Sequence, residues 1–112
     1  MGRSLGKAPK TMTGRKLVVR PVAELEANQA YDWYEEQEEG LGDRMRHSIK
    51  RAIDSIVARP LTFPVVFGSN VRHAVIQDFP YRIVFSTNNE SIVIFAIFHT
   101  SRTPMIWRGR IG

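Results

Sequence analysis

The chain has 112 residues, 43% of them hydrophobic and 24% charged, with no cysteine and a formal charge of +5. That is enough chain for one domain with a single two-layer core, and the composition is that of an ordinary globular protein. Without cysteine there are no disulfides, no thiolate chemistry and no sulfur-ligated zinc, which fits a reducing compartment.

The longest apolar run, residues 92–98, is too short to span a bilayer. Charge is segregated along the chain. Residues 1–20 carry six basic groups and no acid, residues 21–43 eight acids and no base, and residues 44–112 ten bases against three acids. A molecule polarised in this way offers a basic surface to nucleic acid or to an acidic protein, and solubility alone explains the excess equally well.

Residues 1–15 are rich in Gly, Ser, Lys and Thr without apolar periodicity, and read as a disordered basic leader or a tag. Arg3, Lys7 and Lys10 are followed by no apolar stretch, so no secretory signal is expected and the expected location is the cytoplasm. The folded domain is expected over residues 16–112. It opens with a short β-type run at residues 16–20, closed by Pro21.

From Val22 the period changes. Ala23, Ala27, Ala30, Tyr31 and Tyr34 form one stripe of an amphipathic helix, with Glu24, Asp32, Glu35, Glu36 and Glu39 on a solvated face. Gly40 suits the end of that helix, and Asp43 the first turn of a second. Leu41, Met45, Ile49, Ala52 and Ile56 make the second stripe, so a short link joins two antiparallel helices. Arg59 and Pro60 close it, and residues 61–70 read as an apolar loop.

Residues 71–76 alternate, with Arg72, Ala74 and Ile76 on one face and Val71, His73 and Val75 on the other. A partner strand follows at residues 81–85, and Asn88 and Asn89 supply a tight turn because asparagine tolerates positive φ. Residues 92–98 are apolar on both faces, the pattern expected of the central, most buried strand. The class is therefore α+β, in the order β-α-α-β-β-β.

In order and spacing, YDWYEEQ, the GLG link, ARP, FPVVFG, VRHA, FPYRIVF and AIFHTSRTPMIW resemble the RelE/ParE superfamily, toxins of type II toxin–antitoxin systems, over about residues 16–108. The resemblance implies an antiparallel sheet packed on a helical hairpin. It also implies a cognate antitoxin that wraps the toxin with one end and binds operator DNA with the other, so that operator DNA is met only through that partner. Tyr31, Trp33 and Tyr34 are the antitoxin-binding candidates.

The superfamily has two kinds of target. RelE-type members resemble ribosome-dependent endonucleases that cut mRNA, and Arg72, His73, Arg82, His99 and Arg102 are this chain's candidates for such chemistry. If Arg72 and Arg82 share a sheet face, they can hold a phosphate. The catalytic tyrosine common near the carboxyl end of that branch is absent; the aromatic nearest its place is Trp107, whose indole donates a hydrogen bond but moves no proton. The ParE-like branch, which resembles inhibitors of DNA gyrase, is favoured, with Arg82, His99, Arg102, Trp107 and Arg108 as target-binding candidates. A non-toxic, degenerate binding module is the further alternative. His99 has an equally plain structural reading as a cap on the core. His47, His73 and His99 have no ligand spacing and no glycine-rich phosphate loop follows a strand, so no metal and no cofactor is expected.

Overall fold

Pro21 sets the first boundary in the computed structural model, which describes residues 14–101. Strand β1 (Lys16–Val19) stops just before it, and helix α1 (Pro21–Gln37) starts on it. Proline has no N–H for a ladder, and its fixed φ suits the first helical position. Helix α2 (Leu41–Ala58) follows after residues 38–40. Gly40 has φ 91° and stands directly before α2 rather than ending α1, where Glu38 is the cap residue. Glycine takes that left-handed conformation without steric cost, which lets the chain reverse in so short a link.

After a single 3₁₀ turn (Pro60–Thr62) come β2 (Val65–Phe67), β3 (Val71–Val75), β4 (Tyr81–Thr87) and β5 (Ser91–His99). The sheet order is β1-β5-β4-β3-β2. The α+β class is as expected, with two differences in detail. Residues 61–70 are not only loop: β2 pairs antiparallel with β3 through Val65 and Phe67, next to a register shift. With three residues, flanked by Pro64 and Gly68, β2 is an edge strand of the kind that proline tolerates and sequence periodicity misses. The sheet is also mixed, because β1 runs parallel to β5, with Leu17 opposite Ile92 and Val19 opposite Ile94. The helical hairpin between them is the crossover that a parallel pair needs.

One face of the sheet carries the helices. Ala23 and Ala30 of α1 and Met45, Ile49, Ile53 and Ile56 of α2 bury themselves against Ala74, Ile83, Phe85, Ile92, Ile94 and Ile97. Burying each of the large side chains contributes about 1.5–3 kcal/mol. A second cluster, Val71, Val84, Phe95, Ala96 and Phe98, lies on the opposite face. A bulge explains why β5 is apolar on both sides: Val84 pairs with Ala96 and Phe85 with Ile94, which leaves Phe95 as the extra residue.

The turns use local chemistry. The β4–β5 turn is not made by positive φ at asparagine, since Asp78 is the one non-glycine residue with positive φ among the described residues. Instead the Asn88 Oδ1 accepts hydrogen bonds from the amides of Glu90 (2.7 Å) and Ser91 (2.9 Å), so the side chain substitutes for a backbone turn.

Candidate functional site

Strand register decides which candidate residues meet. Arg72 is paired with Phe85 and alternates with Ala74, so it lies on the helix-bearing face. Its Nη1 donates to the carbonyls of Phe63 (2.6 Å) and Leu61 (3.3 Å), tying the 3₁₀ turn to the sheet. Arg82 is paired with Val75 and lies on the outer face beside His73, with 3.2 Å between Arg82 Nη1 and His73 Nδ1. Arg72 and Arg82 therefore do not share a face. The expectation of a two-arginine phosphate clamp is corrected by a hairpin register that sets these residues on opposite sides.

His73 is half-buried, and its imidazole is held below the ordinary value of 6.5 by burial first and by the Arg82 guanidinium second. Both effects disfavour a second positive charge, so the neutral ring with Nδ1 accepting is the stable form. A neutral imidazole against a guanidinium is a polar pair with one free cation's worth of charge.

His99 ends β5 opposite Tyr81, on the helix-bearing side, with its ring edge-on to Tyr81 at 5.3 Å. Its Nδ1 accepts from the Ser101 amide at 3.1 Å and lies 2.8 Å from the Ser101 hydroxyl. One ring nitrogen is thus engaged in closing the strand end. Arg102, Trp107 and Arg108 lie outside the described residues.

His99 borders a groove of about 440 Å³ between the end of β5 and one ridge of α1, where Glu26, Trp33, Tyr34, Tyr81 and Ile97 also line the walls. Tyr34 of that wall is edge-on to Trp33 (4.9 Å), Phe79 (5.0 Å) and Tyr81 (6.2 Å). Burial raises its phenol above the ordinary 10.0. Trp33 is 55% exposed, a large apolar side chain left facing water. Tyr31 sits apart, under the Arg46 guanidinium at 3.9 Å, with its phenol raised chiefly by the Asp43 carboxylate. Trp33 and Tyr34 therefore share one surface, and Tyr31 belongs to the hairpin.

Two acids of α1 have roles that the sequence pattern does not reveal. Glu26 Oε1 accepts the Ile97 amide at 3.0 Å, on the edge of β5 beyond the last β1 pairing. Glu35, expected on a solvated face, accepts the amides of Gly40 and Gly42, both at 2.9 Å, and so caps α2 from the neighbouring helix. The acidic face of α1 is in part structural. A second groove of about 510 Å³ runs between the helices, with Leu17, Ala27, Ile49 and Ile53 among its walls. Among the described residues no cluster of acids and histidines could hold a metal ion, and no helix is long and apolar enough to cross a membrane.

A helical hairpin on a five-stranded mixed sheet, with an acidic first helix, an aromatic groove and strands free of acidic residues, defines a small α+β domain. The family model described as the ParE toxin of the type II toxin–antitoxin system parDE matches residues 17–104, and the chain belongs to that family. No curated protein matches the chain. Seven chains of solved structures match it. One, described as the chromosomal ParDE TA system from P. aeruginosa, has a TM-score of 0.68 at 14% identity and covers 78% of this chain and 97% of its own. At that identity the likeness concerns the fold.

Proposed function

We propose that this chain is a growth-inhibiting toxin that acts by binding an essential target, DNA gyrase, and that a cognate antitoxin neutralises it. Membership of the ParE toxin family is the observation that carries the reading. The distribution of the candidate residues supports binding over RNA cleavage. Cleavage at a 2′-hydroxyl requires a proton acceptor, a proton donor and cations around one phosphate. Here His73 and Arg82 lie on one face of the sheet and Arg72 and His99 on the other, with Arg72 committed to two backbone carbonyls.

The antitoxin is assigned to the helix-bearing side, where Trp33 and Tyr34 border the aromatic groove. Operator DNA is reached through that partner, and the pair works in the cytoplasm. The target is assigned to the outer face that carries Arg82; Arg102, Trp107 and Arg108, outside the described residues, are its further candidates by sequence. The test is a gyrase supercoiling assay with purified toxin, with and without antitoxin. Supercoiling should fall with toxin and return when antitoxin is added in excess; undiminished supercoiling at saturating toxin overturns the proposal.

A further inference from the structure

The two edges of the sheet are built differently. β1, at one edge, is bracketed by Arg15, Lys16 and Arg20, and charged side chains are a usual guard of an edge strand. β2, at the other edge, has none. Residues 60–71 hold no Asp, Glu, Lys or Arg, the longest such run in the sequence. The next longest, residues 91–101, is uncharged because most of it is β5, buried within the sheet. Burial does not account for residues 60–71. Leu61 is 60% exposed, Val65 43% and Phe67 41%, and Val75, where β3 runs on past β2, is 64% exposed. On side chains of ordinary size those fractions leave about 300–500 Å² of apolar surface, the scale at which a patch on a monomer marks an interaction site.

The backbone of this edge is open as well. The His73 amide donates to the Pro64 carbonyl at 3.3 Å, so Pro64 turns its backbone towards β3, and the donor that proline lacks is missing on the inner side. Val65, next in the strand, is paired with Arg72 and turns its N–H and C=O away from β3. Neither group has a backbone partner among the described residues. A residue with one outward donor and one outward acceptor is complementary to itself. Two such strands related by a two-fold axis close a pair of hydrogen bonds at one antiparallel register.

Charge selects the occupant. The chain carries +5, so an acidic partner drawn by that charge is drawn to other surfaces, whereas a second copy meets least like-charge repulsion along the uncharged edge. We propose that β2 is a self-association edge, at which two copies of this chain pair antiparallel, Val65 opposite Val65, with Leu61, Phe67 and Val75 packed about the contact. The pair joins two five-stranded sheets into one continuous sheet. The patch is smaller than the ~800 Å² per partner of a standard stable interface, so the dimer is weak and forms at about 0.1 mM rather than at nanomolar concentration. The inference does not depend on which target or antitoxin the protein binds.

Sedimentation velocity of the full chain from about 10 µM to 1 mM reads the association. The expected result is a monomer–dimer equilibrium that tightens severalfold as salt rises from about 0.05 to 0.5 M, because screening relieves the repulsion between like-charged copies. Val65→Lys sets two like charges opposite each other and should weaken the dimer at least tenfold, by the order of about 10-fold or more, while Leu25→Lys, at an exposed apolar position on α1, should not alter it. Circular dichroism checks that both variants are folded. Because the chain has no cysteine, Val65→Cys reads the register even if Val65→Lys unfolds. A hydrogen-bonded antiparallel pair sets the two Cα atoms about 5.5 Å apart, within disulfide range. Mild oxidation at about 0.1 mM should crosslink V65C chains and leave L25C chains uncrosslinked. A monomer throughout the range, a dimer that salt dissociates, a dimer abolished by Leu25→Lys rather than by Val65→Lys, or V65C chains that crosslink no faster than L25C chains overturns the proposal.

Discussion

Replacing Glu35 by alanine tests how the helical hairpin is held. Its two carboxylate oxygens each accept one backbone amide at 2.9 Å, from Gly40 and from Gly42, and no side chain of α2's own cap residue does so. A lost helix cap costs about 1 kcal/mol, and hydrogen bonds to a charged group contribute about 1.5–3 kcal/mol. Because the contacts are only partly buried, the expected loss for Glu35→Ala is about 1.5–2 kcal/mol. For a domain of this size that lowers Tm by about 6–14 °C. Urea and thermal unfolding followed by circular dichroism give both numbers, with Glu36→Ala, one position along on the exposed face, as the control expected within about 0.5 kcal/mol of wild type. If Glu35→Ala is as stable as Glu36→Ala, the carboxylate does not cap α2 and the hairpin is held by apolar packing alone.

Gly42→Ala should destabilise by about 1–3 kcal/mol despite alanine's better helix propensity, because an added Cβ would lie 2.7 Å from the Tyr31 carbonyl and 2.8 Å from Glu35 Oε1; a gain in Tm would show that the helices are not in close approach there. Arg72→Met keeps the apolar stem but removes the donors to Leu61 and Phe63, and should cost about 1–2 kcal/mol while raising amide exchange across residues 60–67. Unaltered exchange in that segment would contradict the tether. His73 has a depressed pKa in the folded protein, so the unfolded state binds the extra proton as pH falls through 6.5 and stability is lost on the acid side. A His73→Gln variant should show a flatter stability profile between about pH 7 and pH 5 than wild type, and an equal slope would refute the assignment.

How far the sequence discloses this molecule depends on the range of the interaction. The α2 stripe of Met45, Ile49 and Ile56, and the assignment of Arg72 and Ala74 to one face of β3, follow from local periodicity and match the observed burial. Residues 92–98 form a buried strand, β5, as their pattern indicates, but the central place in the sheet belongs to β4, because β1 adds only one strand beyond β5 while β3 and β2 add two beyond β4. The direction of β1 has no local signature, since it is fixed by a pairing more than seventy residues away, between Lys16 and Ser91. β2 is too short to show a period. For Arg72 and Arg82, alternation within each strand is legible but their relative facing is not, because a one-residue change of hairpin register reverses it. Glu26 and Glu35 look like two more surface acids until the backbone amides they accept are brought to them by the fold.

The choice between a bound target and a cleaved one is tested most directly by expressing the chain in a host and reading two outputs from the same culture: plasmid topoisomers and the 5′ ends of translated mRNA. The predicted result is relaxed plasmid with unchanged mRNA ends, both restored to the uninduced state by co-expressed antitoxin. Normal supercoiling together with new codon-positioned mRNA ends that vanish in Arg82→Ala and His99→Ala would contradict it.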